Sequence, residues 1–189
     1  MNNIAFIDGQ NLHLGTTKCN SCAKTKNIDF QDMKISDCIC GSAWKVDLLK
    51  FRKYLKKKYK IAEAYYFLGF LDETNQELYS HLQKSGFIII FREHSKGMTG
   101  NKKGNVDTDI VFEAMKNLIE NLELNKILLV SGDGDYKKTI DYLINKNKFL
   151  SILFPRGKYA SSLYNTLDNK HKLSIDRQTV RKFFELKNS

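Results

Sequence analysis

Short apolar runs alternate with longer amphipathic stretches along the chain. The runs are Ile4–Ile7, Ile61–Leu68, Phe87–Phe91, Ile127–Val130 and Phe149–Phe154. Each is four to eight residues long and mostly β-branched or aromatic. Continuous apolarity over such a length marks strands covered on both faces, as in a parallel sheet. Between the runs, the pattern predicts helices over 46–59, 73–85, 107–121, 136–145, 160–171 and 176–186. In the first of these, Leu48, Phe51, Leu55 and Tyr59 recur at three or four residues and form a buried stripe. In the third, Val111, Met115, Leu118 and Leu122 do so, joined by Ile110 and Ala114. Strands that alternate with helices predict a doubly wound α/β domain with a mainly parallel sheet of five or six strands. One Pro and eleven Gly leave few breaks, and no stretch reads as an interdomain linker, repeat or low-complexity tract. Residues 1–189 therefore read as a single domain, with an insertion at about 14–43.

Ligands of such sheets collect at the carboxyl ends of the strands. The first strand ends in Phe6-Ile7-Asp8-Gly9-Gln10-Asn11, and the fourth in Val130-Ser131-Gly132-Asp133-Gly134-Asp135-Tyr136. The helix before the fourth strand opens Asn105-Val106-Asp107-Thr108-Asp109. Strands one and four are neighbours at the switch point of a doubly wound sheet, so acids from three places converge on one cleft. Gathered carboxylates repel one another unless a cation screens them, and hard oxygen ligands suit Mg²⁺ or Mn²⁺. Two such ions, about 3.5–4 Å apart, activate a water and steady the leaving oxygen in phosphodiester cleavage. At 100° per residue, Asp107 shares the side of the apolar stripe, whereas Asp109 and Glu113 share the opposite face. Taken singly, Asp107 and Asp135 are also ordinary caps or turn residues. Three acidic element ends in one sheet argue for a shared site with Asp8, Asp107, Asp109, Asp133 and Asp135 as metal ligands.

The segments Phe6 to Leu12, Gly104 to Ile110 and Leu129 to Tyr136 resemble, in order and spacing, the three signature segments of the NYN domain. This is the LabA-like branch of the PIN-like nucleases. The resemblance spans nearly the whole chain except residues 14 to 43. It implies a Rossmann-like fold and a divalent-metal-dependent ribonuclease activity, by metal-activated water. It implies that Asp8, Asp107, Asp133 and Asp135 are metal-binding or catalytic, with Asn11 orienting a water or phosphate. Glu113 stands where many relatives have a second helix acid. Gly-Asp-Gly-Asp also resembles the metal loop of haloacid-dehalogenase-type phosphatases. Those need Asp-x-Asp after the first strand, and Gln10 and Phe6 flank Asp8 at that spacing instead.

All four cysteines lie in the insertion, as Cys19-x2-Cys22, fifteen residues, then Cys38-x-Cys40. That spacing suits a structural four-thiolate Zn²⁺ site, although the second pair is one residue tighter than the common knuckle. The enclosed stretch has only Ile28, Phe30, Met33 and Ile35 to build a core, so it needs such a staple. Unconnected thiols, disulfides or redox use of Cys19 and Cys22 are the alternatives. The insertion leaves the first strand beside Asp8, so it is expected to overhang the acidic cleft. It could also serve a protein partner or a homo-oligomer.

Charge sharpens the picture. The chain carries 31 Lys+Arg against 21 Asp+Glu, a formal +10. An anionic partner such as nucleic acid follows from such a balance, without being required by it. The excess is uneven. Residues 45–60 carry eight basic side chains against one acid, whereas residues 105–144 carry four against eight. Lys102 and Lys103, leading into Asp107, and Arg156 and Lys158, after the fifth strand, are candidates to hold an RNA backbone. Tyr65, Tyr136, Tyr159 and Trp44 are candidate base-stacking rings, most of them equally explained as core. His13 is the one histidine near the proposed site. No apolar run approaches the ~20 residues that span a bilayer, and the N-terminus reads as a strand, not a signal peptide. The expectation is a cytoplasmic ribonuclease of single-stranded RNA, with reduced thiols. The competing class is a non-catalytic module that binds RNA or protein.

Overall fold

The computed structural model describes residues 2–69, 71–92 and 106–187. In chain order the elements are β1 (Asn2–Asp8), α1 (Gly9–Thr17), α2 (Asn20–Lys26), α3 (Leu48–Tyr59), β2 (Ile61–Leu68), α4 (Gln76–Lys84) and β3 (Ile88–Phe91). There follow α5 (Val106–Glu120), β4 (Leu124–Val130), α6 (Lys137–Asn145), β5 (Phe149–Phe154), β6 (Lys172–Ser174) and α7 (Gln178–Arg181). Among the described residues the strands form one sheet in the order β3-β2-β1-β4-β5-β6. Every pairing in it is parallel. The chain winds outward from β1 to one edge, then crosses back to β4 and winds to the other. That reversal leaves β1 and β4 side by side, with their carboxyl ends opening at the switch point.

The apolar runs are continuous because both sheet faces are covered. Ala5, Ile7, Leu128, Val130 and Leu153 face one core, shared with Leu48, Phe51 and Leu55 of α3. Ile4, Phe6, Ile127, Leu129 and Ile152 face the other, against Ile110 and Ala114 of α5 and Ile140 and Leu143 of α6. Side chains alternate along each strand, yet both alternating sets are apolar. Asp47 caps α3 by accepting from Lys50 N at 3.0 Å, and Asp8 caps α1 by accepting from Asn11 N at 2.9 Å. Among the described residues no helix is long and apolar enough to cross a membrane.

Two predicted helices are not formed as expected. Residues 160–171 make short 3-10 turns, Ser162–Thr166 and Asn169–His171. Ser161 Oγ accepts from Leu163 N and Asp168 Oδ1 from Lys170 N, so short polar side chains take the amides a helix would need. In 176–186 only Gln178–Arg181 is α-helical. Beyond it the backbone pairs with residues 45–47: Asp47 N donates to Phe184 O and Leu186 N to Lys45 O, both at 2.8 Å. Phe184, fully buried against Phe51 and Trp44, anchors that pairing. The helix from 107 stops at Glu120, which leaves Leu122 exposed rather than in the stripe. The short α1 and α2 and the edge strand β6 add to the predicted elements.

Gly9 lets α1 start against the sheet. A Cβ there would lie 2.6 Å from Phe67 O and 2.4 Å from the ring of buried Tyr66. The backbone oxygen belongs to β2 and cannot step aside. Gly9→Ala is expected to destabilise the fold by about 2–3 kcal/mol, as overpacking does. A thermal melt should show Tm lowered by roughly 5–10 °C, and an unchanged Tm would mean that α1 can move off β2.

Candidate active site

Asp8 ends β1 and is 6% exposed. One carboxylate oxygen accepts from Asn11 N, and the other accepts from Ser131 Oγ at 3.3 Å and lies 3.4 Å from the Tyr136 hydroxyl. Asp107 stands in the first turn of α5, and its carboxylate accepts a short hydrogen bond from the same Tyr136 hydroxyl. Tyr136 is thus a buried post between two acids from different elements. Asp133 and Asp135 come from the loop after β4. That loop is wound tightly: Asp133 N donates to Ser131 Oγ and Asp135 N to Asp133 Oδ1, each at 3.1 Å. Gly132 N donates to Asn11 Oδ1 at 2.8 Å, and the Tyr164 hydroxyl donates to Asp133 O. The loop is therefore pinned from α1 on one side and from the 3-10 turn 162–166 on the other.

These restraints bring one oxygen each from Asp107, Asp133 and Asp135 within 4.8 Å of one another. A cation about 2.1 Å from each ligand spans oxygen pairs up to about 4.2 Å apart, so a small inward movement closes the set. All three donors are hard carboxylate oxygens, which fits Mg²⁺ or Mn²⁺ and not a soft metal. Asp8 lies behind them. Burial pushes its pKa up to about 6 against the opposing Asn11 N–H, and the charges of Asp107 and Asp133 push the same way. The Asp107 carboxyl is also raised, by burial first, and by Asp133 and Asp135. Burial and neighbouring carboxylates both disfavour the ionised forms of Asp8 and Asp107, and a cation beside them would offset this.

The insertion builds a second cluster. Sulfur separations are 3.5 Å for Cys19–Cys40, 3.4 Å for Cys22–Cys40, 3.9 Å for Cys22–Cys38 and 3.6 Å for Cys38–Cys40. None is a disulfide. Four sulfurs at about 2.3 Å from one ion stand about 3.8 Å apart along the edges of a tetrahedron, so the thiols match a closed tetrathiolate site. Ala43 N donates to Cys38 Sγ at 3.2 Å, and Ser42 Oγ donates to Cys19 Sγ at 3.1 Å. Ser42 in turn meets Arg156: Nη1 donates to Ser42 Oγ at 3.1 Å, Nη2 to Ser42 O at 2.7 Å, and Nε to Gly15 O at 2.9 Å. One guanidinium thus ties the thiol cluster to α1 and to the end of β5. Between the insertion and the acidic loop lies a cleft of about 630 Å³, with Lys18, Asn20 and Phe30 on one side and Asp133 and Asp135 on the other.

A model of the NYN domain matches residues 4–174. The chain belongs to that family. The NYN domain is a branch of the PIN-like nucleases, which act on nucleic acid and depend on metal ions. Similarity to a curated relative agrees: the low amplitude and bright protein LabA of Synechococcus elongatus is 25% identical over 153 residues, covering 76% of this chain and 78% of that protein. Among solved structures, the protein of unknown function VPA0982 of Vibrio parahaemolyticus shares the NYN-like fold. Its TM-score is 0.62 at 19% identity, covering 98% of this chain and 96% of that one.

Within this NYN domain, Asp8, Asp107, Asp133, Asp135 and Asn11 meet at the ends of β1 and β4. Asp109 lies outside the group of three, because two helical positions rotate it about 200° from Asp107. Glu113 is half-buried and pairs with Lys116 at 3.6 Å, apart from the group of three. Lys102 and Lys103 lie outside the described residues. Lys158 is exposed near the cleft, but Arg156 is buried and committed to Gly15 and Ser42. It forms wall and brace rather than a free phosphate-binding arm. His13 points to a different groove, shared with Lys34, Lys45 and His81 on the far side of α1. Of the four candidate stacking rings, Trp44 and Tyr136 are core, Tyr65 donates to Glu63, and Tyr159 remains exposed at the cleft. Ser131 and Tyr164 are supporting residues that sequence reasoning passed over, and Tyr136, read there as a stacking ring, instead supports the acids. Ser131 and Tyr136 bracket the acidic motif, so position alone was a signal for them.

Arg156→Ala leaves Gly15 O and the Ser42 oxygens without their buried donor, and is expected to cost about 2–4 kcal/mol. Arg156→Lys should recover little of it, lacking the planar fork. Urea unfolding measures both. Unchanged stability in Arg156→Ala would return this residue to the list of free RNA contacts.

Proposed function

We propose that this chain is a Mg²⁺- or Mn²⁺-dependent ribonuclease that cleaves single-stranded RNA. The observation that carries the reading is the convergence of Asp107, Asp133 and Asp135 from separate elements at the switch point of a parallel sheet, beside an open cleft. Asp107, Asp133 and Asp135 hold the ion, and Asp8 lends them a further charge from behind. A bound Mg²⁺ or Mn²⁺ supplies an activated water and neutralises charge on the phosphate. Tyr136 and Ser131 fix Asp107, Asp8 and the acidic loop, so the ligands need little rearrangement. Asn11 gives its carbonyl oxygen to Gly132 N–H, so its remaining group is an NH₂ donor, suited to a phosphate oxygen. Lys158, with Lys102 and Lys103, supplies backbone contacts. The thiols of Cys19, Cys22, Cys38 and Cys40 hold a structural Zn²⁺ that leaves no open position. A cytoplasmic setting suits the reduced thiols.

A cleavage assay on unstructured RNA with Mg²⁺, Mn²⁺ or neither tests the reading. Asp133→Asn is expected to lower the rate by at least ~100-fold while RNA binding persists. Wild type that binds RNA yet cuts none with either metal would instead identify a non-catalytic binding module on the same fold.

The zinc assignment has its own measurement. Elemental analysis after purification without added metal should find about one zinc per chain, lost in Cys38→Ser. Well under one zinc in the reduced wild type would sink it.

A further inference from the structure

The cleft is larger and more apolar than a cation and a phosphodiester require. Besides Asp133 and Asp135, its lining includes Phe30, Pro155, Tyr159 and Leu163. Tyr159 and Leu163 are 46% and 54% exposed. Apolar surface left in water beside an acidic cluster calls for a ligand with a flat apolar part as well as charge.

The turn that carries Phe30 and the Tyr159 ring are both held by named contacts. Phe30 rides on a turn closed by Asp32 N and Met33 N donating to Asp29 O, each at 3.1 Å, and by Gln31 N donating to Asp29 Oδ1 at 2.7 Å. Lys18 Nζ grips that turn through Gln31 O at 2.7 Å and Met33 O at 2.5 Å. Met33 is buried among the cysteines, and its sulfur accepts from Cys19 N at 3.1 Å. The turn is therefore tied to the thiol cluster and to the end of α1. From the opposite side, the Tyr159 ring lies 5.8 Å from the Arg156 guanidinium and 5.9 Å from Lys158 Nζ. Arg156 is itself fixed by Gly15 and Ser42, so the ring rests on an anchored cation.

We propose that Phe30 and Tyr159 form a base-binding subsite that stacks an unpaired base of the RNA next to the acidic cluster. The inference rests on the ribonuclease reading and gives the insertion a role in it, the selection of single-stranded substrate. An aromatic ring accepts any base by its face, whereas a duplex keeps those faces covered. Lys158, adjacent to Tyr159, is placed for the flanking phosphate.

Equilibrium binding of a fluorescein-labelled single-stranded RNA, measured in the Asp133→Asn background, tests the subsite without cleavage. Phe30→Ala and Tyr159→Ala should each weaken binding by about 5- to 100-fold, the range of one lost stacking contact. Phe30→Trp and Tyr159→Phe should retain affinity, and an abasic oligonucleotide should bind parent and alanine variants alike. Equal affinity of parent and alanine variants for the base-bearing RNA overturns the proposal. So does an equal loss on the abasic strand, a loss shared by the ring-preserving variants, or a parent that binds no RNA. A failure of the ribonuclease reading shows separately, as wild type that cuts nothing, and leaves this binding comparison intact.

Discussion

Carboxylates gathered at the end of a parallel sheet repel one another, and the local structure is organised to hold them together regardless. β1 and β4 are adjacent because the winding reverses between them, so Asp8 and the loop 131–135 share one edge. The first turn of α5 delivers Asp107 to the same edge. Hydroxyls from Ser131 and Tyr136 and amides from Asn11 and Asp135 supply donors to the group. They do not suffice: the Asp8 carboxyl stays raised to about 6, first by burial and then by its acidic neighbours. Burying charge among like charges costs stability unless an opposite charge joins it. A cation at this edge would offset that cost.

The insertion extends that logic to the other side of the cleft. Residues 18–43 contain too little apolar surface for a core of their own, and the buried cluster there is built from Cys19, Cys22, Ala23, Met33 and Ala43. Cohesion then comes from the contacts of the sulfurs and from the hydrogen bonds of Lys18 and Arg156, and the position of the thiols is transmitted outward. One route runs through Ser42 to Arg156 and the end of β5. Another runs from Cys19 through Met33 to the turn that bears Phe30. The cleft therefore has one wall set by the sheet and one set by the thiol cluster.

How much of this was legible in the sequence depended on the range of the forces involved. Ile61–Leu68 and Phe149–Phe154 read correctly to the residue, because a doubly covered strand needs nothing beyond its own apolar run. The helix phase sets Asp107 rather than Asp109 beside Asp133 and Asp135, and periodicity of that kind is local. Residues 160–171 misled because their apolar spacing suggested a helix while Ser161 and Asp168 turn the backbone aside. The end of the chain misled for a non-local reason: Phe184 and Glu185 pair with residues 45–47, which no window of sequence reveals. The acids were visible in their motifs, but Tyr136 between Asp8 and Asp107 was not. Its role exists only once two elements 99 residues apart, Asp8 and Asp107, are brought together. Arg156 shows the converse, a charge that looked free in sequence and is internal in the fold.

The uneven charge now divides into two functions. The lysines of α3 project from a helix whose Leu48, Phe51 and Leu55 are buried against the sheet, and residues 46–60 do not line the cleft. At physiological salt their field extends roughly 8 Å, enough to steer a polyanion towards the molecule but not to grip it at the acids. The cations that do line the cleft are Lys18 and Arg156, and both already donate to backbone carbonyls. Among the described residues, then, the cations that line the cleft are already engaged. On the proposed reading, encounter and retention separate: the lysines of α3 govern how fast RNA arrives, and its rate should fall with salt. On that same reading, how long RNA stays rests with contacts to the bases, which salt screens far less.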